Sequence, residues 1–382
     1  MNEVNNKFRY IELIVLIFLW ICFQSQSVFA CRYNVRESGF IDLGTKPYYF
    51  YGYVNNDTPE EITSSFEQIS HANLFDCNIR VEMINTDLQK DHPAMKYLSL
   101  WQIQSFPAAI LVSPDGQSLI VPVKKNNEPF EKTLRSAIDN IVTSPIREEI
   151  IRKVIETYGV ILLIEGANAQ ENKKYEETAL YAIENIKNQM KMMPKSIAHP
   201  PVLIKMEPES FSPEKILLWS LGLDADDTKK PYAAVFYGRA RWIGPLMKAE
   251  EINKTNLINI LSIIGADCEC GLDISWVLGT MLPMRWDQKR QAKVAKSLEF
   301  DPENPVIKME VSRILKKGSS FYPGVPVVYQ DSLRKSGSLS GSYVVDENKS
   351  RLQVLLYFFG GLVIITFITV FFILNKTLKR KQ

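Results

Sequence analysis

The cysteines are the residues of this chain whose spacing most directly suggests chemistry. Cys22 lies in an apolar N-terminal run, and the other four are Cys31, Cys77 and the closely spaced Cys268 and Cys270. A disulfide between Cys268 and Cys270 would close a small, strained ring that is easily reduced and could exchange with other thiols. The even number of cysteines outside the N-terminal run also fits structural disulfides, in which Cys31 and Cys77 are the partners of the other two. We favour the structural pairing.

Two methionines that follow the Cys268-Glu269-Cys270 motif extend the candidate chemistry to metal binding. Thiolate and thioether ligands suit copper(I), so Cys268, Cys270, Met281 and Met284 form a candidate copper site. The three histidines share no metal-binding spacing: His71, His92 and His199. A zinc enzyme is therefore not expected. The sequence also has no phosphate-binding glycine loop and no serine-hydrolase motif, and we expect no cofactor.

Length and charge limit the class of protein. A chain of 382 residues with 46% hydrophobic and 23% charged residues is typical of a globular protein with two or three domains. Its net charge is +2, and four positive charges lie at the C-terminal end: Lys376, Lys379, Arg380 and Lys381. The rest of the chain is therefore slightly acidic, which argues against a nucleic-acid partner.

The N-terminal residues 1–30 have the layout of a secretory signal peptide. Lys7 and Arg9 precede an apolar run from Ile11 to Phe23, and the predicted mature chain begins at Cys31. One alternative is an uncleaved signal anchor, for which the run is short. Another is lipidation of Cys31, because the four residues that end at this cysteine resemble a bacterial lipobox.

The C-terminal region predicts a single membrane span. Residues 352–374 are almost continuously apolar and carry no charge, and this length crosses a bilayer as a helix. The basic tail 375–382 is expected in the cytoplasm by the positive-inside rule. Residues 318–351 have the composition of a flexible stalk. The body of the protein would then be exported and tethered to the membrane.

The body between Cys31 and Lys317 alternates strand-like and helical segments in an order that occurs twice. In the first copy, strands are predicted at Tyr48 to Tyr53, Ile79 to Ile84 and Ala108 to Val112, with helices between them. In the second copy, buried strands are predicted at Val160 to Ile164 and Ala233 to Tyr237. This alternation predicts an α/β fold and an internal duplication.

The first copy resembles a thioredoxin-like domain at Ile103-Gln104-Ser105-Phe106-Pro107, which is similar to the family's segment that leads to its cis-proline. The resemblance implies a cis peptide bond before Pro107. Pro231 occupies the matching place in the second copy and is the second candidate cis-proline. The alternative for Pro107 is a trans proline at the start of an edge strand.

The thioredoxin family performs dithiol exchange with a Cys-x-x-Cys pair after the first strand, and both copies lack it. The corresponding loops read Asn55-Asn56-Asp57-Thr58 and Ala167-Asn168-Ala169-Gln170. No other side chain replaces a thiolate nucleophile, so dithiol exchange of the thioredoxin type is excluded at both loops. The resemblance implies redox-silent binding or spacing domains.

These observations predict the following organisation: signal peptide 1–30, thioredoxin-like domains 31–146 and 147–266, a Cys-x-Cys segment with helices 267–317, stalk 318–351, transmembrane helix 352–374 and basic tail 375–382. The predicted function is that of an exported, membrane-anchored scaffold or accessory protein, without enzymatic activity, that binds a partner protein such as a transport system. The alternative is a thiol-disulfide oxidoreductase or a copper-handling module that uses Cys268 and Cys270.

The predicted location is the bacterial cell envelope, because the start of the mature chain, Cys31 to Arg36, resembles bacterial envelope proteins. The protein would be anchored in the inner membrane, with periplasmic domains that meet a partner protein there. The endoplasmic reticulum membrane is the alternative location, since Asn56, Asn253 and Asn348 begin sequences that are legal glycosylation sites in that compartment.

Overall fold

The computed structural model describes residues 32–320 except 194, 196, 225–228 and 267–278, and for 316–320 only the backbone. All of these residues belong to one compact unit, residues 1–334, while a second unit, 335–382, lies outside the described residues. In the described part of the chain, no helix is long and apolar enough to cross a membrane. The predicted signal peptide and transmembrane helix, and most of the predicted stalk, fall outside that part.

The first sheet has four strands in the order β2-β1-β3-β4. Strand β1 is parallel to β2 and antiparallel to β3, which is antiparallel to β4. The elements of this half are α1 (Val35–Gly39), β1 (Tyr48–Val54), α2 (Glu60–Leu74), β2 (Ile79–Asn85), α3 (Met95–Trp101), β3 (Ala108–Val112), β4 (Ser118–Val121) and α4 (Phe130–Val142).

The second sheet repeats this order as β6-β5-β7-β8, with the same parallel and antiparallel pairs. Its elements are α5 (Pro145–Glu156), β5 (Val160–Ile164), α6 (Ala169–Met190), β6 (Val202–Met206), α7 (Lys215–Ser220), β7 (Tyr232–Tyr237), β8 (Arg241–Lys248) and α8 (Lys254–Ile264). Two further helices follow, α9 (Gln288–Leu298) and α10 (Pro305–Ser320).

The repeated topology confirms the α/β duplication, and two mixed four-stranded sheets of this order fit tandem thioredoxin-like domains. Strand register relates the two copies residue by residue. Tyr53 pairs with Ala108 in the first sheet, and Ile164 pairs with Tyr232 in the second. Both pairs join the central strand to the residue that follows the loop proline, so Tyr53 corresponds to Ile164.

The two copies differ in how their sheets are covered. Helices α2 and α4 pack against one face of the first sheet, around Phe50 and Leu111. The second sheet is buried on both faces, by α6, α8 and α10 on one side and by α5, α7 and α9 on the other. Hydrophobic burial is the main force that fixes such layers.

Segments from outside the second repeat complete the core of the second domain. Tyr33, Val35 and Ile41 are buried in the second domain, although the predicted first domain begins at residue 31. The predicted boundary at 146/147 falls inside α5, for which the sequence pattern gave no expectation. Helix α5 packs on the second sheet.

Residues 281–286, here called the bridging segment, join the two domains. Met284 and its apolar neighbours are buried against the second sheet. The backbone of the same segment bonds to the first domain: Asn78 Nδ2 donates to Leu282 O at 2.8 Å, and Trp286 N donates to Asp76 O at 2.6 Å. The relative position of the two domains is therefore set by hydrogen bonds as well as by apolar packing.

Arg147 is fully buried between the domains, and its guanidinium is satisfied by backbone carbonyls. It donates to carbonyls of the last turn of α4 and the residue that follows, and to Pro283 O of the bridging segment at 3.1 Å. Its Nε donates to Ser144 Oγ at 2.7 Å, and Ser144 donates to the buried carboxylate of Glu214. Burial lowers the pKa of Arg147 to about 10, so it remains a cation at neutral pH.

Two other buried arginines attach the N-terminal segment to the second domain. Arg36 donates to three carbonyls at the C-terminal end of α5: Val154, Ile155 and Thr157. Arg241 donates to Gly39 O and Ile41 O, and to Gly279 O at 3.1 Å. Carbonyls at helix ends lack partners within the helix, and a buried guanidinium supplies several donors at once.

The peptide bond before Pro107 is cis, as the resemblance implies. The bond before Pro231 is trans, so the second cis-proline prediction is wrong. The reason lies in the strand pairing. Ala167 N donates to Lys229 O at 3.0 Å, so the register of β5 with β7 is the same on both sides of Pro231, although the chain bends at Lys230.

The Arg147 network predicts a large loss of stability in Arg147→Met. The variant removes the cation near the buried Glu214 carboxylate, which keeps only its hydrogen bonds from Ser144 Oγ and Ile146 N, and leaves the carbonyls at the end of α4 without donors. Removing one partner of a buried charge network costs about 3–5 kcal/mol. The free energy of unfolding, measured by urea denaturation of the full chain, should fall by this amount.

Arg152→Met is the matched control. Arg152 is half exposed between Glu149 and Glu156, so its substitution should lower the free energy of unfolding by at most about 1 kcal/mol. Equal losses in both variants would contradict the network.

Candidate functional site

The loop after β1 holds no reactive group and is closed by its own side chains. Thr58 Oγ1 donates to Asn55 Oδ1 at 2.6 Å and accepts from Asn55 N at 3.1 Å. Asn56 N donates to Asp87 Oδ2 at 2.8 Å, and Asn85 Nδ2 donates to Asn56 Oδ1 at 3.1 Å. The place where a thioredoxin carries its cysteines is here a network of amide and carboxylate side chains.

The equivalent loop of the second domain serves as a helix cap. Asn168 Oδ1 accepts from Gln170 N and Glu171 N at the start of α6. Asn172 bonds in both directions with the backbone of Gly166, at 2.9 Å each. These side chains satisfy the unpaired amides of a helix N-terminus and have no nucleophile beside them.

Cys77 is a free thiol at the base of the first sheet. Its Sγ lies 3.8 Å from Asn73 O and 3.7 Å from Asp76 Oδ1. Burial raises the pKa of Cys77 to about 12, and the neighbouring Asp76 carboxylate adds to the shift. A thiol in this environment is a poor nucleophile. Cys31, Cys268 and Cys270 lie outside the described residues, so their pairing stays a prediction.

The two methionines of the candidate copper site are both part of an apolar core. Met281 and Met284 are buried in the cluster between the second sheet, α5 and α9. Leu282 and Trp286 are buried in the same cluster, so this segment packs on the second domain. Among described residues, no group of three or more His, Cys, Asp or Glu could hold a metal ion.

One face of the first sheet carries a row of tyrosines and is only partly covered. Tyr49, Tyr51 and Tyr53 alternate along β1 and point to the side that α3 covers. Tyr53 is buried, and its hydroxyl donates to Ala94 O at 2.8 Å. Tyr49 and Tyr51 are only partly buried, because the seven residues of α3 do not reach across the whole sheet.

The tyrosines are held in place by stacking. The rings of Tyr49 and Tyr51 are 5.4 Å apart and nearly parallel, and Tyr97 of α3 stacks on Tyr51 at 6.0 Å. The His92 ring meets Tyr51 edge-on at 6.3 Å, and its Nε2 lies 3.6 Å from Glu82 Oε2. Burial, together with the Glu82 carboxylate, raises the pKa of Tyr51 to about 12. Tyr51 is thus a neutral phenol at neutral pH.

Two further partly exposed side chains lie toward the β4 edge of the sheet, while Ile110 and Val112 of β3, which stand between β1 and β4, are buried. Ile120 on β4 lies in the same cross-strand row as Tyr51 and is 41% exposed. Trp101, at the end of α3, is 40% exposed, and its indole N–H donates to Ser118 Oγ on β4 at 3.0 Å. We call the surface formed by Tyr49, Tyr51, Trp101 and Ile120 the open face.

In the second domain the face that corresponds to the open face is covered by other segments of the chain. The residues that correspond to Tyr49, Tyr51 and Tyr53 are Val160, Leu162 and Ile164, and all three are fully buried. Helix α5 and the bridging segment cover them. In the first domain the chain before β1 supplies no such cover, because α1 and its neighbours pack on the second domain instead.

The open face was not among the predicted site residues. The strand Tyr48 to Tyr53 was recognised, but its five aromatic residues, interrupted only by Gly52, predict burial on both sides. A signal was present in the tyrosines at alternate positions, since a phenol combines an apolar ring with a hydroxyl that tolerates contact with water.

No protein-family model matches the sequence, and no curated protein matches it. Solved structures that contain thioredoxin domains resemble it at low similarity. Human ERp44 in its zinc-bound form is 10% identical, with 57% of this chain and 55% of that chain covered and a TM-score of 0.21. The first two thioredoxin domains of Saccharomyces cerevisiae Eps1p are 9% identical, with 57% of this chain and 92% of that chain covered and a TM-score of 0.20. ERdj5 is 8% identical, with 57% of this chain and 27% of the ERdj5 chain covered and a TM-score of 0.21.

The chain therefore spans about a quarter of ERdj5 and about half of ERp44. The assignment of a thioredoxin-like fold rests on the strand order of the two sheets.

The environment of Cys77 predicts slow alkylation. With a pKa of about 12, the thiolate fraction at pH 7.5 is on the order of a thousandfold below that of an unperturbed cysteine. The rate of Cys77 modification by iodoacetamide, followed by peptide mass spectrometry, should be lower than in guanidinium-unfolded protein by a factor of this order. Similar rates in the folded and unfolded protein would show that Cys77 is accessible and activated.

The structure also narrows the predicted disulfides. Val35 N donates to Ala266 O at 2.9 Å, so the chain that leads to Cys31 starts beside the chain that leads to Cys268. Cys31 is four positions before Val35 and Cys268 is two positions after Ala266, and at about 3.5 Å per residue the two cysteines are within reach of each other. Cys77 lies elsewhere: its backbone forms an antiparallel β-bridge with the backbone of Arg285. Peptide mapping of the non-reduced protein should find Cys31 joined to Cys268 or Cys270 and Cys77 reduced. A disulfide at Cys77 would contradict this arrangement.

Proposed function

We propose that this protein is a scaffold or accessory protein that binds a partner protein through the open face of its first domain. The observation that carries the proposal is the difference between the two copies. The same face that is fully covered in the second domain is left partly exposed in the first, and it is lined by aromatic side chains. Exposed aromatic surfaces of this kind are typical of binding sites.

The chemistry of the partner follows from what covers the second domain. Helix α5 places Ile150, Ile151 and Val154 against the second sheet. A partner segment with a similar apolar helix face would fill the equivalent place over Tyr49 and Tyr51. The phenol hydroxyls offer hydrogen bonds at the edge of such an interface, and burying the aromatic rings would supply most of the binding energy.

The proposal includes the membrane tether and the location predicted from the sequence. An exported protein with a C-terminal span at 352–374 would present its domains on the outer side of the membrane in which it is anchored. We place it in the bacterial inner membrane, with periplasmic domains next to a membrane partner such as a transport system; the endoplasmic reticulum is the alternative. The side chains of the loops after β1 and β5 support a role in binding, because none of them is a nucleophile.

Site-specific photo-crosslinking in the native host tests the binding role. A photoreactive residue at Ile120, on the open face, should give one discrete adduct that is lost when Tyr49→Ala and Tyr51→Ala are introduced together. The matched control is Leu180 on α6, an exposed aliphatic residue far from the first sheet. The proposal is wrong if Ile120 gives no adduct, or if the adduct is the same from Leu180 or is insensitive to the tyrosine substitutions.

A further inference from the structure

Helix α9 carries a row of lysines on its outer side. Lys289, Lys293 and Lys296 are all exposed, and their spacing of four and three residues places them on one stripe of the helix. Val294 and Leu298 lie on the opposite side and are buried in the second domain. The orientation of the lysine stripe is therefore fixed by the core and does not depend on the lysines themselves.

Two of the acidic groups near α9 are engaged by other partners, and a third, Glu299, is exposed just after the end of the helix. The Asp287 side chain accepts from Arg290 N at 2.8 Å and caps the helix, and Glu148 pairs with the inward-facing Arg290. In the described part of the chain, none of the three lysines forms a salt bridge. By contrast, Lys187 on α6 pairs with Glu184, and Lys205 pairs with Glu165 and Glu176. The stripe is thus a local excess of positive charge on a slightly acidic protein.

We propose that the lysine stripe of α9 binds the surface of an anionic phospholipid bilayer. Charge complementarity supplies the attraction, because lysine ammonium groups bind lipid phosphates as mobile point charges. The length of chain beyond α10 makes the contact attainable. Thirty-one residues lie between Ser320 and the predicted span at 352, and the sequence predicts a flexible stalk there; a flexible chain of this length has an end-to-end distance of roughly 30 Å.

The expected affinity is modest and depends on salt. Each lysine near an anionic surface strengthens binding about fivefold, so the three together contribute about a hundredfold. Ions at physiological concentration screen this attraction beyond about 8 Å. A tether raises the local concentration of lipid around the domain, so even a weak contact of this kind would orient the protein on the membrane.

The test uses the full chain held in nanodiscs of zwitterionic phosphatidylcholine, which accommodate a membrane span without supplying anionic lipid. Vesicles of phosphatidylcholine with 30% phosphatidylglycerol are added, and the apparent vesicle affinity is measured by flotation. The triple variant Lys289→Gln, Lys293→Gln, Lys296→Gln should lose about a hundredfold in affinity. Vesicles of pure phosphatidylcholine should bind neither protein, and 0.5 M salt should abolish binding of the wild type, as expected for roughly 4 Å screening.

The matched control removes the same charge from another exposed place. Lys124, Lys125 and Lys132 are exposed on the first domain, and replacing all three with glutamine should change the affinity by less than about twofold. Equal losses in both triple variants would show a general charge effect and overturn the assignment to α9. Wild-type protein that does not bind anionic vesicles, or an α9 variant that binds as well as the wild type, would also overturn it.

Discussion

The guanidinium of Arg147 is buried where the two domains and the bridging segment meet, and the surrounding structure is built to satisfy it. Carbonyls at the end of α4, the carbonyl of Pro283 and, through Ser144, the Glu214 carboxylate all converge on this one side chain. A buried cation without these partners would be strongly unfavourable. The network therefore requires α4 of the first domain, α5 and the residue before α7 in the second, and the bridging segment to keep fixed relative positions.

That arrangement accounts for the unequal cover of the two sheets. Arg36 and Arg241 hold the N-terminal segment on the second domain by the same means, through backbone carbonyls. The segments that could have covered the first sheet are thus used to complete the second. What remains on the first sheet is a short helix, α3, and a surface of stacked tyrosines beside it. The open face is in this sense a consequence of how the buried arginines are satisfied.

Sequence reasoning reached the elements whose pattern is local. The strand Val160–Ile164 was predicted at its observed limits because five consecutive aliphatic residues admit few other structures, and Pro107 was placed from a short motif. It failed where distant residues decide the outcome. Arg147 stands in a charged run, Arg147-Glu148-Glu149, that looks like a solvated surface, and only the fold reveals the carbonyls around it. The exposure of Tyr51 likewise depends on where α1 packs, which no local pattern records.

The central claim is that the open face is covered by a partner in the cell. Hydroxyl-radical footprinting of the tyrosines, compared between native membranes and the purified full chain, tests it most directly. Tyr49 and Tyr51 should be modified several-fold more slowly in native membranes, whereas Tyr181 on α6, which is exposed and distant from this surface, should react equally in both. Equal modification of Tyr49 and Tyr51 in the two preparations, with Tyr181 as the internal reference, would contradict the account.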